Sequence, residues 1–290
     1  MVTKILLCSD GSQQALQAAS VAGDLAKRLQ AEVLVIHVID ILAISAYTGP
    51  QADAAPPLGL LLGYEEEAQK EILQHTREAL DRAGISYRVF PEIGSPVESI
   101  LELAQAEGVG LIVAGGRGLN AWEALLLGSI SQGVAHHAQC PVLIVRDNPQ
   151  GFQRILVGSD GSEHAVHALK IGAEIAKGCQ ASLTVLNTYD PLSPQPLVSA
   201  RDVVSGEHEA HVLRAIEEQS ASVLQTYGLP VDVVQEAGHP AETILSYAER
   251  ESCDLIVLGG RGQGGFRRLL LGSVCDNVLR HAHCSVLVTR

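Results

Sequence analysis

The sequence predicts an α/β fold, with two tandem domains that are each a parallel sheet sandwiched between helices. Three observations lead there. The chain is written twice: KILLCSDGS at Lys4–Ser12 returns as RILVGSDGS at Arg154–Ser162, GSPVESILELA at Gly94–Ala104 as GHPAETILSYA at Gly238–Ala248, and HHAQCPVLIVR at His136–Arg146 as RHAHCSVLVTR at Arg280–Arg290. Within each copy, apolar runs of strand length alternate with segments of helical spacing, the pattern of βαβ units. The chain is 47% hydrophobic but 3% aromatic, so its cores are built from Val, Ile, Leu and Ala, as in parallel sheets covered on both faces. At 290 residues there is room for two ordinary domains. Two copies do not make a solenoid, whose repeats are shorter and more numerous.

In the first copy Lys4–Ser9 reads as a buried strand, and Ser12 as the cap of a helix carrying Leu16, Ala19, Leu25 and Leu29. Glu32–Val38 is a second buried strand. Ile41–Gly63 is irregular. Its apolar stretch PPLGLLLG, Pro56–Gly63, reads as a loop that covers a core or partner surface, or folds over a ligand. Glu65–Arg82 has helical spacing and stops before Gly84, and Ser86–Phe90 is a short third strand. Pro96 opens a helix through Ala106, where its missing N–H costs nothing. Leu111–Ala114 is the fourth strand, Ser129–Ala138 a helix, and Pro141–Val145 the fifth strand. The repeat offset is 150 between Lys4 and Arg154 but 144 between Gly94 and Gly238. The shortfall fits the irregular stretches Ile41–Gly63 and Pro191–Gly206. The domains are therefore 1–146 and 154–290, joined by the polar linker DNPQGFQ, Asp147–Gln153.

The formal charge of −13, from 33 acidic and 20 basic residues, argues against wrapping a nucleic-acid backbone and against anionic membrane surfaces. A small anion would have to be held by local backbone dipoles. The opening MVTKILLCSDGS lacks the apolar run of an export signal, and no stretch of about eighteen apolar residues reads as a transmembrane helix. The six cysteines (Cys8, Cys140, Cys179, Cys253, Cys275 and Cys284) contain no C-x-x-C pair and read as thiols of a reducing cytoplasm.

One phrase carries chemistry. GGRGLNAWEALLLGS at Gly115–Ser129 returns as GGRGQGGFRRLLLGS at Gly259–Ser273, identical at nine of fifteen positions, all at the two ends. It begins where a buried strand ends and finishes where a helix begins, the place where open α/β sheets bind ligands. Glycines let a backbone approach an anion closely, and the helix start offers N–H groups and a hydroxyl. Charge-assisted hydrogen bonds of about 1.5–3 kcal/mol each could hold a triphosphate without lysine, leaving the middle free to drift. A Walker A motif is absent. Gly260, Gly262 and Gly265, like Gly116, Gly118 and Ala121, match the dinucleotide fingerprint, but they follow the fourth strand. Twenty positions on stand His136 and Arg280 instead of an acidic residue.

The spacing G-x-x-G, nine residues, then G-[ST] is met by Gly115, Gly118, Gly128 and Ser129, and again by Gly259, Gly262, Gly272 and Ser273. With SDGS after the first strand, HVID ending the second, G-x-P before the third helix and CPVLIVR near the end of the first copy, it resembles the ATP-binding signature of the universal stress protein family. The resemblance covers nearly the whole chain, twice. It implies two Rossmann-like domains, each a five-stranded parallel sheet of order 3-2-1-4-5, with ATP where strands 1 and 4 part. By similarity Ser9, Asp10 and Gly11 line the adenosine, Val38 meets adenine through its backbone, and Gly115, Gly118, Gly128, Ser129 and Ile130 hold ribose and phosphates. The second set is Ser159, Asp160, Gly161, Thr188, Gly259, Gly262, Gly272, Ser273 and Val274. The resemblance further implies ATP with Mg²⁺ or Mn²⁺, and pairing of the last strands, within the chain or in a homodimer.

The second copy departs at Thr188, where HVID has an apolar residue, and at Cys275, which replaces the Ser131 hydroxyl. Cys8 stands where Pro, Ala or Gly is expected. Other residues keep two readings: Asp10 and Asp160 as ligand contacts or turn residues, Arg117 and Arg261 as phosphate or carboxylate partners, Trp122 and Phe266 as packing anchors or stacking platforms. His136, His137, His281 and His283 read as last-turn residues that favour the helix C-terminus over a metal. No nucleophile–base pair accompanies the glycine loops. The expected function is a cytoplasmic, ATP-dependent stress-response module with slow hydrolysis at most and an unnamed protein partner. The alternatives are a nucleotide-free scaffold and an enzyme acting on an adenylated substrate.

Overall fold

A computed structural model of the chain describes residues 1–40, 58–116, 127–146, 151–190, 207–260 and 271–290. It divides into two compact units, Val2–Pro149 and Gln150–Arg290, Met1 being grouped with the latter. The first unit runs β1 (Lys4–Cys8), α1 (Gln13–Leu29), β2 (Glu32–Asp40), α2 (Leu58–Ala83), β3 (Tyr87–Gly94), α3 (Pro96–Ala106), β4 (Leu111–Gly115), α4 (Ser129–His137), β5 (Val142–Val145). The second runs β6 (Arg154–Gly158), α5 (Glu163–Cys179), β7 (Ser182–Tyr189), α6 (Glu207–Tyr227), β8 (Val233–Ala237), α7 (Pro240–Arg250), β9 (Leu255–Gly259), α8 (Ser273–His281), β10 (Ser285–Thr289).

Each unit holds five parallel strands, in the order β3-β2-β1-β4-β5 and β8-β7-β6-β9-β10. The predicted order 3-2-1-4-5 is therefore present in both. The order fixes the layers. The chain steps outward from β1 through β2 to β3, then returns to the far side of β1 for β4 and β5. Right-handed crossovers in opposite directions put α1 and α2 on one face and α3 and α4 on the other, and those pairs do pack together. The core is aliphatic, with Ile5, Leu6, Leu7, Leu34, Leu111, Ile112 and Leu143 fully buried. Each such side chain contributes about 1.5–3 kcal/mol.

The helix signals act as read. Ser12 caps α1, its Oγ accepting the Ala15 N–H, and Ser162 does the same for Ala165 in α5. Pro96 and Pro240 sit in the first turns of α3 and α7.

Two expectations are corrected. Leu58–Gly63 belongs to α2 instead of a loop; Pro56 and Pro57 lie outside the described residues. The third strand is Tyr87–Gly94, longer than Ser86–Phe90. As the outer strand it pairs only with β2, so Pro91 leaves no ladder bond unmade.

Candidate functional site at the sheet switch point

β1 and β4 are neighbours whose following loops turn to opposite faces, which opens a crevice at their carboxyl ends. The β1 loop is Ser9–Ser12. Ser9 is buried, its N–H donates to the Ile36 carbonyl at 3.0 Å, and its hydroxyl meets that of Thr76 at 2.8 Å. Asp10 accepts the Ser12 N–H through Oδ1 at 3.0 Å, so its Asx-turn role is real. That bond leaves Oδ2 for other work. Gly11 has φ +76°, a conformation side chains rarely adopt. The second unit repeats the arrangement: Ser159 N–H to the Leu186 carbonyl at 2.9 Å, Ser162 N–H to Asp160 Oδ1 at 3.0 Å, and Gly161 at φ +77°.

Val38 and Thr188 stand beside these loops. The Ile36 carbonyl faces β1, and backbone groups alternate sides along a strand. The Val38 N–H and C=O therefore face that side too, beyond the last β1–β2 pair, Cys8 with Ile36. Thr188 has the same place past Gly158 with Leu186. Because its contact would be made by backbone, the exchange of Val for Thr does not remove it.

On the other side of the crevice, Gly116 N–H donates to Val145 O at 2.9 Å, and its own carbonyl accepts the Gly128 N–H at 2.9 Å. In the second unit the Gly260 N–H donates to Thr289 O at 2.7 Å, and the Gly260 carbonyl accepts the Gly272 N–H at 2.8 Å. The two ends of each repeated phrase are thus tied to one another. That closure accounts for identical ends around a variable middle. The middles, 117–126 and 261–270, lie outside the described residues, and with them Gly118, Gly262, Arg117, Arg261, Trp122 and Phe266.

Gly115 and Gly259 have a packing reason. A Cβ on Gly115 would lie 2.9 Å from the backbone C and O of Gln14, and one on Gly259 2.7 Å from the His164 backbone C. The first turn of α1 or α5 rests directly on the end of the strand. Gly128 and Gly272 are the N-caps of α4 and α8. Ser129, Ile130 and Ser273 are exposed and Val274 half-buried, so the helix starts open to solvent at the crevice.

The residue-level match now has a counterpart among known proteins. The model of the universal stress protein family matches residues 1–146 and again 151–290. The chain belongs to the universal stress protein family. It is 27% identical over 294 residues to a universal stress protein of Mycolicibacterium smegmatis, spanning 99% of this chain and 96% of that one. To universal stress protein YxiE of Bacillus subtilis it is 34% identical over 151 residues, 50% of this chain and 100% of the relative. Half-length relatives thus match a single copy and full-length ones the tandem. Among solved structures, a universal stress protein from Archaeoglobus fulgidus superposes with a TM-score of 0.73 at 26% identity, over 99% of this chain and 98% of that one.

In this universal stress protein Ser131 is no ligand donor. Its buried hydroxyl donates to the Gly115 carbonyl at 2.7 Å. Cys275 does the same, its thiol donating to the Gly259 carbonyl at 2.8 Å. The substitution therefore changes a strut beneath the crevice and leaves the crevice wall alone. Ser131→Ala is expected to lower stability by about 1–3 kcal/mol by leaving a buried carbonyl unpaired, whereas Cys275→Ser should be neutral or stabilising; denaturant titration of the two variants checks both. Burial pushes the Cys275 thiol up to about 12, with Arg290 opposing and Asp160 adding to the rise. Burial, then Cys140 and Asp10, push Cys8 up to about 12 as well. Both remain protonated at neutral pH and are poor nucleophiles.

Two further residue pairs went unread in the sequence. Arg146 ends the first copy and Arg290 the second. The Arg146 Cγ lies 3.2 Å from where a Cβ on Gly116 would be, and the Arg290 Cδ and Nη1 3.6 Å from that of Gly260. Each arginine stem therefore packs against the second glycine of the repeated phrase, beside the crevice. The other pair is His37 and Asn187, which donate to the carbonyls of Ser9 and Ser159 at 2.7 and 2.9 Å. The repeat of RD or R after VLIV and VLVT, and the His-for-Asn exchange at offset 150, were the available signals.

The four histidines read as last-turn residues divide. His137 and His281 donate through Nδ1 to Gly133 O and Asn277 O at 2.8 and 2.9 Å, and His136 shares the last turn of α4. His283 lies past the α8 cap, Ala282. No cluster of metal-ligating side chains occurs among the described residues, and no disulfide joins the cysteines. No described helix is long and apolar enough to cross a membrane.

Proposed function

We propose that each unit binds one ATP in the switch-point crevice, and that the protein is a cytoplasmic, nucleotide-dependent stress-response module that hydrolyses ATP slowly if at all. The carrying observation is the opposition, in both units, of two built walls. On one side stand the Asp10 or Asp160 turn and the Val38 or Thr188 backbone; on the other, an open helix start at Ser129 or Ser273 below a glycine loop whose ends are tied together. The first wall suits ribose and adenine. The second suits phosphates, because N–H groups at a helix start carry partial positive charge. A divalent cation, Mg²⁺ or Mn²⁺, would travel on the phosphates, with Asp10 or Asp160 as the nearest loop carboxylate.

No nucleophile paired with a base stands among the buried residues described around the crevice. The buried thiols are protonated, and the buried hydroxyls of Ser9, Ser12 and Ser131 are engaged with protein partners. Phosphoryl transfer needs a group that positions the nucleophile, so binding without fast turnover follows. Release of bound small molecules by denaturing protein purified without added nucleotide, followed by mass spectrometry, tests the proposal. Two ATP per chain are expected. None, with no uptake from millimolar ATP and Mg²⁺, would overturn it in favour of a nucleotide-independent scaffold, and turnover above about 1 s⁻¹ would make the protein an enzyme.

A further inference from the structure

We propose that His37 and Asn187 are matched positioning residues that set the width of the two adenosine slots, using different chemistry for one task. The inference rests on the ATP reading above and concerns how the slot is built.

β2 grips the peptide of Ser9 from both ends. The Ile36 carbonyl accepts the Ser9 N–H at 3.0 Å, and the next residue, His37, donates from Nδ1 to the Ser9 carbonyl at 2.7 Å. A carbonyl only accepts, so Nδ1 carries the proton. His37 is buried and precedes Val38, whose backbone faces the slot. One side chain thereby links the loop that carries Asp10 to the strand that carries the adenine contact. β7 repeats this without a ring: the Leu186 carbonyl accepts the Ser159 N–H at 2.9 Å, and Asn187 Nδ2 donates to the Ser159 carbonyl at 2.9 Å. Asn187 is itself held, its Oδ1 accepting from Gln235 Nε2 at 2.9 Å.

The coincidence of two unlike side chains on one carbonyl in both units is what separates positioning from packing. Imidazole and carboxamide share little in shape or volume. They share a donor at the same reach. Without the donor, the Ser9 carbonyl is left buried and unpaired, and the Asp10 turn is free to shift against Val38. Both side chains are buried and spend their donors on these carbonyls, so each acts through the loop it holds.

The test is a calorimetric ATP titration, with Mg²⁺, of the full chain and four variants, each also melted to check folding. The wild type should bind two equivalents. His37→Ala should weaken one equivalent by about tenfold or more and leave the other at wild-type affinity. His37→Asn, which installs the donor used by the second unit, should restore both. Asn187→Ala should weaken one equivalent in the same way, and a double variant should weaken both. Retention of two wild-type sites in His37→Ala, or an asparagine variant as weak as the alanine one, would overturn the inference while sparing the ATP reading. A wild type that takes up no ATP would overturn the ATP reading first, and this inference with it.

Discussion

Gly259→Ala is expected to destabilise the second unit by about 2–3 kcal/mol, in the range of core overpacking, and Gly259→Val by more. The new Cβ would lie 2.7 Å from the His164 carbonyl carbon, 2.8 Å from its oxygen and 3.0 Å from the Ala165 nitrogen. These are backbone atoms in the first turn of a helix, and no rotamer change moves them. Relief requires α5 to lift from β9, which would open the core beneath Ala165 and Ala168, both buried. Gly115→Ala should do the same to the first unit through Gln14. With two units, unfolding need not be two-state, so the readout is the separate transitions in a calorimetric melt. The damaged unit should melt about 5–10 °C lower and the other should stay put. A shift below 1–2 °C, about what a few tenths of a kcal/mol would give, would mean that the helix start yields easily.

Ser129→Asp should move stability and ligand binding in opposite directions. Ser129 is the first residue of α4 and is exposed. A carboxylate there interacts favourably with the helix N-terminus, by about 0.3–1 kcal/mol, so the melting temperature should hold or rise slightly. The same charge would sit where the proposed phosphates lie. Two like charges about 4 Å apart at an effective dielectric of 20 repel by about 4 kcal/mol, which is several hundredfold in affinity. One of the two ATP equivalents should therefore disappear from a titration at micromolar ligand, with the second unit as internal reference. Ser129→Ala, removing only a hydroxyl contact, should weaken that site by about tenfold to a hundredfold. If the aspartate variant still binds two equivalents with wild-type affinity, the start of α4 does not hold phosphate. If it also melts early, the substitution has damaged the turn and the alanine variant decides.

Much of this molecule was legible from residue order. The cap Ser12, the proline opening α3 and the buried strand runs are legible because each is a local signal, and the second copy repeats them at Ser162 and Pro240. Others were obscured for local reasons. Leu58–Gly63 contains two glycines and follows two prolines, which spoils helical periodicity, yet it forms the start of α2. β3 shows no buried residue in its pattern, since an outer strand contacts one neighbour and leaves much of its surface to water.

The site divides along the same line. Tandem repetition, the strand–helix order and the placement of Asp10, Val38, Gly115, Gly128 and Ser129 at strand and helix ends were determined by the sequence itself, because turn chemistry and periodicity act between near neighbours. What each residue does there was decided by tertiary structure. Gly115 is glycine because Gln14, about a hundred positions earlier, lies against it. Ser131 and Cys275 serve carbonyls sixteen residues away, and His37 serves one twenty-eight away. Such pairs exist only once the crossovers have brought strand ends together, and no local pattern along the chain encodes the distance between them.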